Sequence, residues 1–464
     1  MAETLIVSIS GIRGIFGKGL TPAILVKYSG AYGAWCRSRA VAKGKAETVV
    51  VGRDARVTGR LCASIVSSTL QSAGLNVIDA GLATTPTVEM AVFETNSIGG
   101  IVLSASHNPA EWNALKLFNE KGEFLDAEEG EEMLSFAERG ESETVAYDEI
   151  GTYEQRDFLD YHIRRILDLD FIDAEAIRAR DFKVVIDAVN SVGGIALPAL
   201  LEELGVRPDR IVCLHCEPTG QFAHPAEPLP DNLKELTSRV KAEGADLGIA
   251  VDPDVDRLAL VADDGRYLSE ELTQVVAADF MWRIRTGPFA TNLSSSRAID
   301  DVAARHGQQV FRSAVGEINV VKKMQEVNAV LGGEGNGGVI LPDLHYGRDA
   351  LAGAAIVLQH LTNERRPLSS LRAELPTYTI SKNKTPIGNV DPDSVLRLMA
   401  ERYRDHDIDV TDGLKINFSD EWVHLRKSNT EPIIRIYSES GNQARADALS
   451  RRFMEELQDA TVEI

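Results

Sequence analysis

The sequence predicts an α/β protein, with α/β layers in series followed by a smaller α+β domain. Three observations carry this reading. Apolar, β-rich runs alternate with helix-patterned segments along most of the chain. The runs are largely continuous, as in strands buried on both faces. From about residue 375 the pattern changes to alternating strands closed by one terminal helix.

The elements follow in order. TVVVGRDAR (48–56) reads as a strand ending at Arg53–Asp54, and LCASIVSSTLQSAG (61–74) as a helix with a glycine stop. NVIDAG and GGIVLSAS are further strands, the second running into a loop that holds Ser106. The acidic stretch 125–149 reads as a solvated helix face and a turn. FKVVIDAVNSVGGIALPALLEELG (182–205) repeats strand, loop, helix and glycine stop. ADLGIAVDPDVDR (245–257) is a strand entering an acidic loop, and NAVLGGEGNGGVI (328–340) is strand, Gly-rich loop, strand. Apolar runs ending in Asp recur as VVVGRD, KVVIDA and LGIAVD, which suggests similar modules in series. The last part holds DGLKINFSDEWVHLRKSNTEPIIRIYSES and the helix NQARADALSRRFMEELQDA.

A chain of 464 residues has room for about three domains of ordinary size. With 49 basic and 70 acidic residues its net charge is −21, which argues against nucleic acid or an anionic membrane as partner. No basic start with an apolar block follows Met1, and no run approaches the ~18 apolar residues of a membrane span. Four cysteines do not suggest a disulfide scaffold, and a cytoplasmic location is expected. CLHC sets Cys213 and Cys216 at CxxC spacing around His215. With no second CxxC to complete a zinc site, and with a strand rather than a helix at this point, they read as two ordinary thiols near a strand end.

Four loops carry chemistry. In DPDVDR, three carboxylates at alternate positions, Asp252, Asp254 and Asp256, can converge on one hard cation, for which oxygen donors select Mg²⁺. The SASHN loop lacks a serine-hydrolase elbow, and adjacency in sequence would turn His107 away from Ser106. Beside a cation, Ser106 makes better sense as a phosphate carrier. In GGEGNGG (332–338), glycines admit a ligand to the backbone while Glu334 and Asn336 offer hydrogen-bonding groups suited to sugar hydroxyls. In RKSNTEPIIRIY (426–437), Arg426, Ser428, Asn429, Thr430 and Arg435 suit a phosphate cradle.

Together these loops resemble those of the α-D-phosphohexomutase superfamily. SASHNP looks like its phosphoserine loop, DPDVDR like its DPDGDR metal loop, GEGNGG like its sugar loop and RKSNTEP like its RPSGTEP phosphate loop, in the family's order. SGIRGIFG (10–17) matches its Gly-x-Arg-Gly start. The resemblance implies four domains around a central cleft: three related α/β domains (1–150, 151–257 and 258–370) and a TATA-box-binding-protein-like α+β domain (371–464). It also implies a hexose-phosphate mutase working through phospho-Ser106 and a 1,6-bisphosphate, with Mg²⁺ held by Ser106 and the three aspartates. A glucose or glucosamine 1,6-bisphosphate would serve as activator. Ser106, Arg13, Lys116 and His107 form the implied catalytic set; Arg13 and Lys116 match positions that handle the proton of the attacking hydroxyl, a role for which Lys116 needs a lowered pKa, while Arg53 and Arg257 add positive potential. The departures are Gly338 in place of a common His, Asn336 in place of a common Ser, and Ala314 in place of a Lys. They look most like the phosphoglucosamine mutase branch, with glucose or mannose phosphate as alternative substrates. The partner is then a small sugar phosphate, and the protein a monomer or homodimer. The chief rival is a metal-dependent phosphatase using Asp252 as nucleophile; it needs neither Ser106 nor a second phosphate cradle. A non-enzymatic sugar-phosphate binder would need neither Ser106 nor the Asp triplet.

Overall fold

The computed structural model describes residues 4–8, 11–141, 144–428 and 432–464. The chain divides into two compact units, one of residues 1–280 with 336–373, the other of residues 281–335 with 374–464.

The first unit holds two sheets. One has seven strands in the order Ile6–Ser8, Gly11–Ile15, Trp112–Phe118, Ser97–Leu103, Ala46–Arg53, Asn76–Leu82, Tyr153–Gln155. Ala46–Arg53 runs parallel to both its neighbours, and Trp112–Phe118 returns antiparallel along Ser97–Leu103. Every residue of Ser97–Leu103 is buried, as its unbroken apolar run demands. The helix Pro22–Lys43 packs its Tyr32 and Trp35 into this core. The acidic stretch forms the helix Ala127–Arg139, started by a capping box between Asp126 and Glu129.

The second sheet has five strands in the order Tyr267–Leu268, Leu258–Ala262, Leu247–Val251, Val184–Asp187, Ile211–Leu214. Leu258–Ala262 pairs antiparallel with Leu247–Val251, so this sheet continues past the expected domain boundary at 257. The acidic loop is the turn of a hairpin, and both its strands must share one sheet. Tyr153–Gln155 likewise joins the first sheet from beyond residue 150. The recurrent Asp residues lie at corresponding places: Asp54, Asp187 and Asp252 are all buried at or just past the carboxyl end of a strand.

A buried ionic chain also lies in the first unit. His345 Nδ1 is 3.2 Å from Glu89, its Nε2 is 3.2 Å from Asp349, and Asp349 also meets His162 Nε2 at 2.8 Å. Burial alone would lower the His345 pKa, but its bonds to Asp349 and Glu89 outweigh that and raise it to about 10. Its stabilising contribution is therefore complete below the ordinary histidine value of ~6.5 and is lost as pH rises through about 10. Unfolding followed from pH 7 to 10 should show a loss on the order of 2 kcal/mol that is much smaller in His345→Gln. Parallel profiles for the two proteins would contradict this.

The second unit contains parallel strands Val310–Ser313, Phe289–Asn292 and Leu331–Glu334 in that order. It also contains a five-stranded antiparallel sheet in the order Thr379–Pro386, Ile433–Ser440, Trp422–Lys427, Leu414–Asn417, Asp407–Asp409. The helices Pro392–Arg402 and Gln443–Glu463 contribute Val395, Met399, Phe453 and Leu457 to the core of that sheet. Among the described residues no helix is long and apolar enough to cross a membrane.

Candidate active site

The loop after Ser97–Leu103 is held by one arginine. Arg56, almost fully buried, donates to the carbonyls of Ser106 (2.5 Å), Asn108 (2.8 Å), Pro109 (2.5 Å) and Trp112 (3.1 Å), while its Nε meets Asp54 at 3.0 Å. The Ser106 N–H donates to the Ser104 hydroxyl at 2.9 Å. Ser106 sits at φ +47°, a left-handed conformation that costs a non-glycine residue roughly 1–2 kcal/mol. In this conformation the Ser106 hydroxyl donates to Asp252 Oδ2 at 2.6 Å, and His107 Nδ1 lies 3.4 Å from Ser106 Oγ. Adjacency therefore does not turn His107 away as the sequence suggested; the left-handed turn brings both side chains to one side. Burial, then the charge of Arg257, lower the His107 pKa to about 3, so its ring is neutral near pH 7.

Asp252, Asp254 and Asp256 are all at most 1% exposed, with ligand oxygens within 4.8 Å of one another. Val255 between them has φ +63°. Asp252 Oδ1 accepts the N–H groups of Asp256 and Arg257, each at 3.2 Å. Asp254 Oδ1 and Asp256 Oδ1 have no hydrogen-bond partner among the described residues. Burial, then the charges of Asp256 and Asp254, push Asp252 well above the usual carboxylate range. Burial acts the same way on Asp256, but Arg348, Lys116 and Arg257 outweigh it and hold that carboxyl well below the range. Unpartnered buried oxygens in an all-oxygen donor set fit a hard divalent cation.

Lys116 comes from the antiparallel strand, paired with Val102. Its Nζ lies 2.5 Å from Asp254 and 3.2 Å from Asp256. The expected lowering of its pKa is not found. Burial works in that direction, but the two carboxylates overcome it and raise Lys116 above its ordinary value. Arg13, paired with Ala114 in the adjoining strand, is lowered by burial and by Arg257, so the two guanidiniums share one field. Arg257 lies 4.0 Å from Asp256 and 3.5 Å from Glu227.

Arg53 does not join this centre. It lines a separate pocket with Arg60, Asp79 and Tyr153, and Arg56, three residues on, reaches the Ser106 loop instead. Sequence reasoning missed two further contributors. Thr85 donates its hydroxyl to Asp254 Oδ2 at 2.5 Å, and Arg348 donates to Asp256 Oδ2 at 2.7 Å. Gly338 is tied to the second of these, because a Cβ there would lie 2.3 Å from Arg348 Cδ. The absence of a histidine at 338 leaves that space to Arg348. In the same turn, Asn336 Oδ1 accepts the Gly338 N–H at 3.1 Å.

The remaining candidates lie in the second unit. Glu334 is buried and accepts from Asn292 at 2.8 Å. Arg426 and Arg435 are cross-strand neighbours; Arg426 Nε is held 2.8 Å from Asp412, and Arg435 is exposed. Ser428 donates its N–H to the Ile433 carbonyl at 3.1 Å. Asn429 and Thr430 lie outside the described residues.

Four domain families match the chain in succession: phosphoglucomutase/phosphomannomutase alpha/beta/alpha domain I over residues 5–144, domain II over 160–265, domain III over 269–378 and the C-terminal domain over 392–456. The chain belongs to the phosphoglucomutase/phosphomannomutase family. This hexose-phosphate mutase is 37% identical, over 94% of both chains, to a phosphoglucomutase/phosphomannomutase of Thermococcus kodakarensis. It is 34% identical, over 98% of both chains, to a probable phosphoglucosamine mutase of Methanopyrus kandleri. A family protein of known structure from Burkholderia thailandensis superimposes with a TM-score of 0.83 at 27% identity, covering 98% of each chain.

Proposed function

We propose that the chain interconverts hexose 6-phosphate and 1-phosphate through phospho-Ser106, with glucosamine phosphate as the preferred substrate. The single observation that carries the mechanism is the 2.6 Å contact of Ser106 Oγ with Asp252, inside a cluster of carboxylates with unpartnered oxygens. A phosphatase using Asp252 as nucleophile is disfavoured, since that carboxyl is raised above the usual range and already accepts the serine hydroxyl. Trapping the phosphoenzyme separates the two, because phosphoserine is acid-stable and an acyl phosphate is labile.

Asp252, Asp254, Asp256 and Ser106 would hold Mg²⁺. When bound, the ion offsets the phosphoserine's charge of about −1.5 to −2 and polarises the phosphoryl group. A sugar hydroxyl attacks phosphorus, the P–Oγ bond breaks, and the bond's electron pair stays on Ser106 Oγ. The attacking hydroxyl gives up its proton and Oγ takes one up; Arg13 and Lys116 hold the positions that the resemblance gives to this proton, while His107, 3.4 Å from Oγ and neutral but only weakly basic, holds the released oxygen in place. Arg13, Lys116 and Arg257 supply positive charge where the phosphoryl oxygens gather. The bisphosphate turns over, and Ser106 recovers the other phosphoryl group; a sugar 1,6-bisphosphate recharges enzyme that has lost its phosphate.

The glucosamine assignment rests on the Methanopyrus relative and on the departures at Asn336 and Gly338. A coupled assay of glucosamine, glucose and mannose phosphates tests it. The highest kcat/KM should fall on glucosamine phosphate, and a higher value for another sugar would replace the assignment.

We assign anchoring of the non-reacting phosphate to Arg426, Ser428, Asn429 and Thr430, with Arg435 alongside. Asp412 holds the Arg426 guanidinium in place and is itself fixed by the Val315 N–H at 2.9 Å. Losing a charged donor costs about 1.5–3 kcal/mol, so Arg426→Ala should raise KM by roughly ten- to a hundredfold. Phosphorylation of Ser106 should survive that change. An unchanged KM for every sugar phosphate would move the cradle elsewhere.

A further inference from the structure

The strand ends of the second sheet gather a cluster that the mutase chemistry does not use. Asp187, His215 and His224 each present a ligand atom, all within 4.8 Å of one another. They come from three places: the end of strand Val184–Asp187, the residue after strand Ile211–Leu214, and the far end of the loop that follows. We propose that Asp187, His215 and His224 form a second cation site, selective for a borderline divalent ion such as Zn²⁺, Co²⁺ or Ni²⁺, which braces the loop 216–223.

The donor set is two imidazoles and one carboxylate. It differs in kind from the all-oxygen triad and suits a d-block ion rather than Mg²⁺. His224 Nε2 stands 3.2 Å from both Asp187 oxygens. That spacing is close to the ~3.3 Å edge of a tetrahedron with bonds of about 2.0 Å. The other nitrogen of the same ring, Nδ1, faces the Pro225 carbonyl at 2.9 Å. Donation to that carbonyl holds the ring in place, as in outer-sphere support of a metal-bound histidine, while Nε2 hydrogen-bonds to Asp187, so that a cation would enter by displacing the Nε2 proton. Asp187 is 1% exposed, and its Oδ1 accepts the Val189 N–H at 3.1 Å. His215 is held at φ +49°, a conformation that histidine visits more readily than most residues. Glu235, 3.3 Å from His215 Nε2, is an exposed oxygen at the rim.

The loop has a reason to be braced. His215 and His224 stand at its two ends, and its middle rests on Arg56, which holds the Ser106 loop. Gly220 has φ +71°, and a Cβ there would lie 2.0 Å from the Ala55 carbonyl oxygen. The Phe222 ring centroid is 5.0 Å from the Arg56 guanidinium.

The test is calorimetric titration of the whole protein with Zn²⁺ and Co²⁺, with Mg²⁺ held saturating throughout. One equivalent should bind, and its binding should raise the melting temperature and slow proteolysis within 216–223. His215→Ala and His224→Gln should each weaken binding by at least about a hundredfold while keeping the metal-free melting temperature near wild type. Cys213→Ser with Cys216→Ser should bind as wild type does, and the Co²⁺ spectrum should lack a thiolate charge-transfer band. Binding that disappears under saturating Mg²⁺, unchanged affinity in both histidine variants, or loss of binding in the cysteine double variant would overturn the proposal.

Discussion

Ser106→Ala should lower kcat by at least about 10⁴-fold, the scale seen when a covalent nucleophile is removed. The change is close to isosteric, and its structural cost is one hydrogen bond to Asp252 at 2.6 Å. Folding should therefore persist, so the loss reports on chemistry. Intact mass of the wild type should show a fraction heavier by about 80 Da, one phosphoryl group, that is absent from the variant. Full activity of the variant without an added sugar bisphosphate would remove Ser106 from the mechanism.

Chelation should abolish turnover, and Mg²⁺ should restore it. Asp254→Asn should reduce kcat by roughly 10²–10⁴-fold, since the ion's share of charge stabilisation is several kcal/mol. A second readout is independent of catalysis. A ligand at a hundred times its Kd stabilises the folded state by about 2.7 kcal/mol, so wild-type melting should rise with Mg²⁺ and the variant's should not. A wild type indifferent to chelation would assign the buried carboxylates to a structural role.

The parts of this centre that were legible in the sequence are those whose geometry is local. Alternation within a short loop was enough to place Asp252, Asp254 and Asp256 together, and a polar loop after an unbroken apolar strand marked Ser106. What escaped depends on partners far along the chain. Lys116 stands 138 residues from Asp254, so no spacing showed that two carboxylates would set its charge. Arg53 and Arg56 look equivalent in GRDAR, and only the turn after the strand decides which enters the loop. Arg348 had one weak signal, its place before Asp349, which caps the helix Ala350–Glu364. The sheet that runs across 257 was not legible, because a hairpin turn looks like an exit from a sheet when its return strand is not yet paired.

Two residues with positive φ make a statement about selection. Ser106 and Val255 occupy backbone positions where glycine costs least, and the family's metal loop carries glycine at the second of them. In a library enriched for thermal resistance alone, glycine should accumulate at 106, where little side chain would be lost, and the survivors would be inert. At 255 the outcome should be nearly neutral, since the relief of a β-branched residue is offset by losing a fully buried side chain. Activity and heat tolerance are thus opposed at the first position and almost uncoupled at the second, so a change to glycine is safe at only one of them.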